Sequence, residues 1–334
     1  GDRHERPARG SAGLWGGHPQ QGGCGMPTLV FYGEFDSFSE WSALLAPHRP
    51  GVTMCRAEEV QDANDVHFAL AWKPPHGFFA PYPNLKLLVN LGAGVDSLVG
   101  RDDLPDIPII RLSDPDMARM MAGYVLFAVL RYARDIPAFE RAQRERRWHY
   151  LHPRVPSSVR VGVMGLGELG AFAAQELARQ GFAVRGWSRS QKTIAGIECS
   201  SGLASLDDFL SQSDILVVML PLTPSTTGLL SQQRLAQLPK GAAFINVSRG
   251  AIVDQAALTC ALQSGDIAEA TLDVFDREPL PPEDPLWRME NVLITPHLAS
   301  VAIPASAALQ VAENIQRAAR GEAVSNQVFP ERGY

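Results

Sequence analysis

Three short segments each deliver a chemically capable side chain directly after an apolar run. Phe244 to Gly250 reads FINVSRG and presents Arg249; Leu272 to Pro279 reads LDVFDREP and presents Asp273 and Glu278; Leu293 to Ser300 reads LITPHLAS and presents His297, the only histidine after position 152. A planar guanidinium can fork onto two oxygens at once, and a histidine held by a carboxylate is an oriented proton donor. Taken singly, an arginine or a histidine in such a place is more often structural. Arg249, Glu278 and His297 at successive strand ends form an acid–base constellation, because open α/β sheets bind ligands beyond the carboxyl ends of their strands.

A second group of residues is suited to a phosphate. Arg160 to Gly170 reads RVGVMGLGELG, an apolar strand running into Gly165, Leu166, Gly167, Glu168, Leu169 and Gly170, with a helix to follow. In such a loop the first glycine permits a tight turn, the second lets the backbone approach a pyrophosphate, and the third lets helix pack on strand. The helix start adds N–H groups and a positive dipole end. The spacing alone is weak evidence for dinucleotide binding; the strand before it and the helix after it make it strong. About 20 residues on, where a carboxylate would bond the adenosine ribose, the chain has Trp187, Ser188, Arg189 and Ser190, followed by Lys192. Hydroxyls and cations there suit a ribose 2′-phosphate. NADPH is therefore expected in preference to NADH, which such a loop would still admit.

These residues need a frame. From Val159 onward, apolar runs at Val159–Met164, Ala183–Trp187, Ile215–Leu220, Ala243–Val247, Glu269–Val274 and Val292–Thr295 alternate with helical segments, the pattern of a parallel sheet covered on both faces. A smaller α/β lobe is expected earlier, with strands near Leu29–Tyr32, Phe68–Trp72, Leu85–Asn90 and Ile107–Leu112. Between the two, residues 116–147 read as helix broken at Pro137, with one broad buried face that includes Met117, Met121, Val125, Phe127 and Leu130. A last helix is expected over about Ala305–Arg320. Residues 1–25, rich in Gly, Arg, His and Pro, read as a leader or upstream extension ahead of Met26.

Composition narrows the classes further. A chain of 334 residues with 46% hydrophobic and 20% charged residues is long enough for two globular domains. A net charge of −6 offers no field for nucleic acid. No apolar run approaches the ~18 residues that would cross a membrane. Cys24, Cys55, Cys199 and Cys260 have no disulfide or metal-ligand spacing, so no metal is expected and a cytoplasmic location is.

The combination of Arg249, Glu278 and His297 with the glycine loop, SDILVVMLPLTPSTTGLL (Ser213 to Leu230) and LGAGVDSLV (Leu91 to Val99) resembles the D-isomer-specific 2-hydroxyacid dehydrogenases, over essentially Met26 to Tyr334. Within that family AWKPP (Ala71 to Pro75), WSRS, DREPLPPEDPLW and the closing RGY are most similar to the reductases of glyoxylate and hydroxypyruvate. The resemblance implies an enzyme of α/β class with two Rossmann-like lobes. A doubly wound nucleotide domain (113–299) would be inserted in a smaller flavodoxin-like substrate domain (26–112, with 300–334 returning to it), and the active site would lie in the cleft between them.

The family's chemistry gives each residue an expected part. A 2-keto acid substrate would place its carboxylate on the backbone N–H groups of Ala93 and Gly94, fork onto Arg249, and take a proton from His297. Glu278 would orient the imidazole and favour its charged form. Trp72 and Lys73 would border the substrate. Leu220, Pro221, Thr226, Val247, Ser248 and Asp273 would line the dinucleotide, Asp273 bonding its carboxamide. Trp148 matches a tryptophan that in some relatives enters a neighbouring subunit, and the 116–147 region implies a homodimer. Gly123 stands where many relatives carry Glu, so any contact made by that Glu is missing here. The rival expectations are a family member of different substrate range, or a nucleotide-sensing corepressor on the same fold, which would bind the cofactor without turning it over.

Overall fold

A computed structural model describes residues 25–49 and 51–330 of the chain. The leader expected over 1–25, except Gly25, and the motif Arg332 to Tyr334 lie outside the described residues. The strands are β1 (Thr28–Tyr32), β2 (Thr53–Arg56), β3 (Val66–Ala71), β4 (Leu87–Asn90), β5 (Ile109–Arg111), β6 (Arg160–Met164), β7 (Ala183–Ser188), β8 (Glu198–Ser201), β9 (Ile215–Val218), β10 (Ala242–Asn246), β11 (Ile267–Leu272), β12 (Val292–Ile294) and β13 (Gln327–Val328). The α-helices are α1 (Phe38–Leu45), α2 (Pro115–Ala133), α3 (Ile136–Arg144), α4 (Glu168–Arg179), α5 (Leu206–Ser211), α6 (Gln232–Leu235), α7 (Gln255–Ser264) and α8 (Pro304–Ala319). The described residues up to Ser113, with those from Ala302 on, make one compact unit, and Asp114–Val301 another.

The first unit holds a sheet of order β13-β5-β4-β3-β1-β2, parallel except for β13. Without β13 this is the 2-1-3-4-5 order of flavodoxin-like folds, in which β1 and β3 flank the point where the winding reverses. Strands covered on both faces must be apolar throughout. Accordingly every residue of β4 is buried, and Val30, Ala69, Leu88 and Leu98 share one core cluster. Helix α8 packs against α1, which ties the C-terminal segment into this unit.

The second unit holds a wholly parallel sheet of order β12-β11-β10-β9-β6-β7-β8. Counted from β6 it is the 3-2-1-4-5-6 dinucleotide-binding order with a seventh strand added. Successive side chains on a strand point to opposite faces. Leu216 and Val218 therefore pack with Phe209, Leu258 and Leu262 of α5 and α7, while Ile215 and Val217 pack with Val125, Val129 and Leu177 of α2 and α4.

Two expectations need correction. The long helix breaks at Arg134–Asp135, where Asp135 has φ 56°, and Pro137 sits in the first turn of α3, where a missing N–H costs nothing. The apolar residues of α2 also do not form one buried face: Met117, Met121 and Val125 are buried, but Phe127 is 53% exposed and Leu130 lies at the surface. Gly123 is on the exposed side of α2, where an added Cβ would meet nothing. The strands β2, β8 and β13, short and at or near sheet edges, were not foreseen, because edge strands need no apolar run.

Candidate active site

Strand register places the acid–base residues side by side. Asn246 at the end of β10 pairs with Leu272 of β11, and Leu272 with Ile294 of β12. Arg249 and His297 each come three residues after this row, and Asp273 one residue after it. His297 Nδ1 lies 2.7 Å from Glu278 Oε2, with the two side chains 26% and 25% exposed. The other carboxylate oxygen, Oε1, accepts the Phe275 N–H at 3.0 Å, so the backbone of the same loop aims Glu278 at the imidazole. An ionised carboxylate can only accept, so Nδ1 is the N–H side of the ring and Nε2 faces outward from the pair.

His297 itself has φ 54°, a left-handed conformation that costs a non-glycine residue ~1–2 kcal/mol. Such a conformation persists only where the surroundings over-determine it. Here the His297 N–H bonds to the carbonyls of Asp273 (2.9 Å) and Thr295 (3.1 Å). The Leu298 and Ala299 N–H groups bond to the two oxygens of the Asp273 carboxylate at 2.9 and 3.0 Å. The Thr295 hydroxyl donates to Asp273 Oδ1 at 2.6 Å, and its oxygen lies 2.6 Å from Tyr124 Oη on α2. Since Thr295 spends its proton on Asp273, Tyr124 is the donor to Thr295, and burial pushes the Tyr124 phenol up to about 12. Asp273, expected as a cofactor contact, is thus first the anchor of the turn that carries His297.

Arg249 is held by residues that sequence reasoning missed. Asn246, fully buried, donates from Nδ2 to the Arg249 carbonyl (3.0 Å) and accepts the N–H and hydroxyl of Ser248 on Oδ1. Gly250 allows the turn to lie on the loop after β11, since a Cβ there would come within 1.9 Å of the Phe275 carbonyl carbon. Gln255 accepts the Asp276 N–H at 2.9 Å, bracing the stretch that leads to Glu278. The signal available was a polar Asn ending an otherwise apolar strand.

The glycine loop joins β6 to α4 between β7 and β9, at the second sheet's switch point. Gly165 has φ 110°, and a Cβ on it would strike the Met219 carbonyl at 2.5 Å; a Cβ on Gly170 would strike the Gly165 carbonyl at 1.9 Å. Gly167 caps α4 and would meet nothing. The chain is therefore pressed inward at two glycines and left open at the third, a cradle that fits a pyrophosphate on the N–H groups of the first helical turn. Leu166, Val247 and Leu220 turn their side chains into the core, so only their backbone could line a dinucleotide. The Thr226 hydroxyl donates to the Pro221 carbonyl at 2.6 Å and shapes its own loop. Glu168 is exposed and Leu169 half-buried in the first turn of α4. At the end of β7, Ser188 is buried with its hydroxyl donated to the Ser190 carbonyl (2.6 Å), while Arg189, Ser190 and Lys192 are exposed.

In the first unit Trp72 and Lys73 follow β3, and Ala93 and Gly94 follow the neighbouring β4. The buried Asn90 side chain donates to the carbonyls of Gly92 (3.1 Å) and Gly94 (2.9 Å). That draws the carbonyls of the turn inward, and the N–H groups of Ala93 and Gly94 find no acceptor among the described residues.

A doubly wound sheet with a glycine cradle at its switch point and a carboxylate–histidine pair at its strand ends defines a dinucleotide-dependent enzyme. Residues 126–299 match the family described as D-isomer specific 2-hydroxyacid dehydrogenase, NAD binding domain. The glyoxylate/hydroxypyruvate reductase A of Serratia proteamaculans (strain 568) is 39% identical over 92% of this chain and 99% of its own. A D-isomer specific 2-hydroxyacid dehydrogenase from Xanthobacter autotrophicus Py2, solved in complex with NADPH and MES, is 61% identical with a TM-score of 0.87, covering 93% of this chain and 100% of that one. The NADPH-dependent glyoxylate/hydroxypyruvate reductase of Sinorhizobium meliloti, solved with NADP and sulfate, is 35% identical with a TM-score of 0.85, covering 93% and 100%. The chain belongs to the D-isomer specific 2-hydroxyacid dehydrogenase family, and it is an oxidoreductase.

Proposed function

We propose that this enzyme reduces small 2-keto acids, glyoxylate and hydroxypyruvate first among them, to 2-hydroxy acids, with NADPH preferred to NADH. The observation that carries the reading is the His297–Glu278 pair at 2.7 Å, set at the end of β12 two strands from Arg249. The names and bound cofactors of the relatives support the substrate and cofactor classes.

Arg249 would fork onto the carboxylate and carbonyl oxygens, polarising the carbonyl. The N–H groups of Ala93 and Gly94 would take the carboxylate, with Trp72 and Lys73 bordering it. When bound, the reduced nicotinamide supplies the hydride. His297 would release the Nε2 proton to the developing alkoxide, while Glu278, held by the Phe275 N–H, keeps the ring in place through the transfer. Gly165 to Gly170 would hold the pyrophosphate, and Arg189 and Ser190, with Lys192, a 2′-phosphate. No carboxylate stands at the end of β7 to repel that phosphate.

The exposed Phe127, Leu130, Ile136, Trp148, Tyr150 and Val155 on and after α2 and α3 support a homodimer. Among the described residues no helix is long and apolar enough to cross a membrane. Cys55, Cys199 and Cys260 are free thiols, in keeping with a cytoplasmic location. The test is loss of reduced-nicotinamide absorbance over a panel of keto acids. Turnover of glyoxylate or hydroxypyruvate with NADPH is the expected result; tight NADPH binding with negligible oxidation would mark a binding module instead.

A further inference from the structure

We infer that Arg101 and Asp103 are positioning residues that hold the Trp72–Lys73 loop beside the Ala93–Gly94 turn and thereby set the affinity for the keto acid. The inference rests on the reading above that this loop borders the substrate.

The loop after β3 contains Pro74 and Pro75, two residues without N–H groups, so it cannot brace itself through their amides. It is braced through its carbonyls instead. Arg101 donates from Nη1 to the Pro74 carbonyl at 2.6 Å and from Nη2 to the Pro75 carbonyl at 3.0 Å. The same guanidinium forks onto Asp103, Nε to Oδ1 at 2.7 Å and Nη2 to Oδ2 at 2.6 Å. Asp103 Oδ2 also accepts the Gly77 N–H at 2.8 Å, closing the far end of the loop. Both side chains are largely withdrawn from water, at 14% and 10% exposure, where such bonds are not screened away. Among the described residues, His76, Asp102 and Asp103 form the one group with ligand atoms close enough for a metal ion, but the oxygens of Asp103 are already taken by Arg101 and Gly77.

What the clamp holds is a strained and closely fitted segment. Lys73 has φ 46°, a left-handed conformation that ties on both sides of it must impose. On one side the Trp72 N–H is bonded to the Tyr32 carbonyl at 2.9 Å; on the other stand the Pro74 and Pro75 carbonyls on Arg101. Trp72 lies against Gly92, so closely that a Cβ on Gly92 would come within 2.6 Å of its ring. Gly92 opens the turn that contains Ala93 and Gly94. Releasing the Pro74 and Pro75 carbonyls would let Lys73 leave its conformation and Trp72 its seat on that turn.

The test is steady-state kinetics with NADPH and glyoxylate on Arg101→Lys and Asp103→Asn, alongside Trp72→Ala and Lys73→Ala, with NADPH affinity and melting temperature for each. Arg101→Lys keeps the charge but cannot reach four acceptors in one plane. The expected result is KM raised by roughly tenfold in all four variants, with kcat of the two clamp variants within about twofold of the wild type and NADPH affinity unchanged. A merely structural role would lower the melting temperature and the active fraction without moving KM. If Trp72→Ala or Lys73→Ala raises KM while both clamp variants leave it alone, the clamp is refuted and the loop reading stands. If Trp72→Ala and Lys73→Ala leave KM unchanged, the loop does not border the substrate and the clamp falls with it. Should Arg101→Lys not fold, Asp103→Asn, which preserves shape and weakens the fork, decides the question alone.

Discussion

At the scale of single residues, the turn after β7, proposed to select the cofactor, shows how far side-chain type can be read without a structure. Arg189 and Ser190 stand out in the sequence as candidates for a phosphate because no carboxylate accompanies them, and both are exposed. The inward turn of Ser188 onto the Ser190 carbonyl was not legible, since a hydroxyl serves a turn or a ligand equally well. The exposed cation therefore carries the prediction: Arg189→Ala weakens NADPH by on the order of 10–100-fold, the worth of a charge-assisted bond, and leaves NADH nearly unchanged. Measuring kcat/KM for both cofactors in both proteins checks it; equal losses would mean that Arg189 acts through the fold of the turn. Likewise Arg249, Glu278 and His297 were visible as types at strand ends. Thr295 and Tyr124 were not, because what marks them is a hydrogen bond across 22 or 171 residues of sequence; Asn246 offered only the signal of a polar residue ending an apolar strand, and its bond to the Arg249 carbonyl needs the fold.

At the scale of elements, buried parallel strands announce themselves as apolar runs, and those of the second sheet were legible to within a few residues. Edge strands such as β8, Glu198–Ser201, are half solvated and carry no such run. Proline misled in the long helix because it breaks a helix interior but begins a helix without cost, and only Arg134 and the left-handed Asp135 separate α2 from α3. The loop after β3 invites a test by pH. The bonds from Arg101 hold the Asp103 carboxyl well below the usual carboxylate range. A carboxyl whose pKa is lower folded than unfolded adds stability that is complete above the unfolded value, ~3.9, and is lost as pH falls toward the folded one. The melting temperature of the wild type should therefore exceed that of Asp103→Asn by a constant margin from pH 8 to about pH 5, and the margin should shrink below about pH 4. A margin that vanishes near neutrality would contradict the ion pair.

At the scale of the whole molecule, alternating elements made a parallel sheet after Val159 and a smaller α/β lobe before it legible, because strands covered on both faces read as apolar runs between helices. The assembly is less so: an apolar helix face reads alike whether it covers a core or a second copy. The division of α2 between buried Val125 and exposed Phe127 argues for the second copy. The 36.3 kDa chain should sediment at twice its mass, and Phe127→Glu should shift it toward the monomer. A monomeric wild type at micromolar concentration would oppose the proposed dimer.

His297, held by Glu278, is proposed to give the proton in a reduction driven by NADPH. The most direct test is single-turnover reduction of glyoxylate by wild type and His297→Gln, each saturated with NADPH and with cofactor affinity measured in parallel. The predicted result is unchanged NADPH binding with the reduction rate lowered about 10²–10⁴-fold, the usual worth of a positioned acid. A variant that binds NADPH normally and reduces glyoxylate at close to the wild-type rate would contradict it.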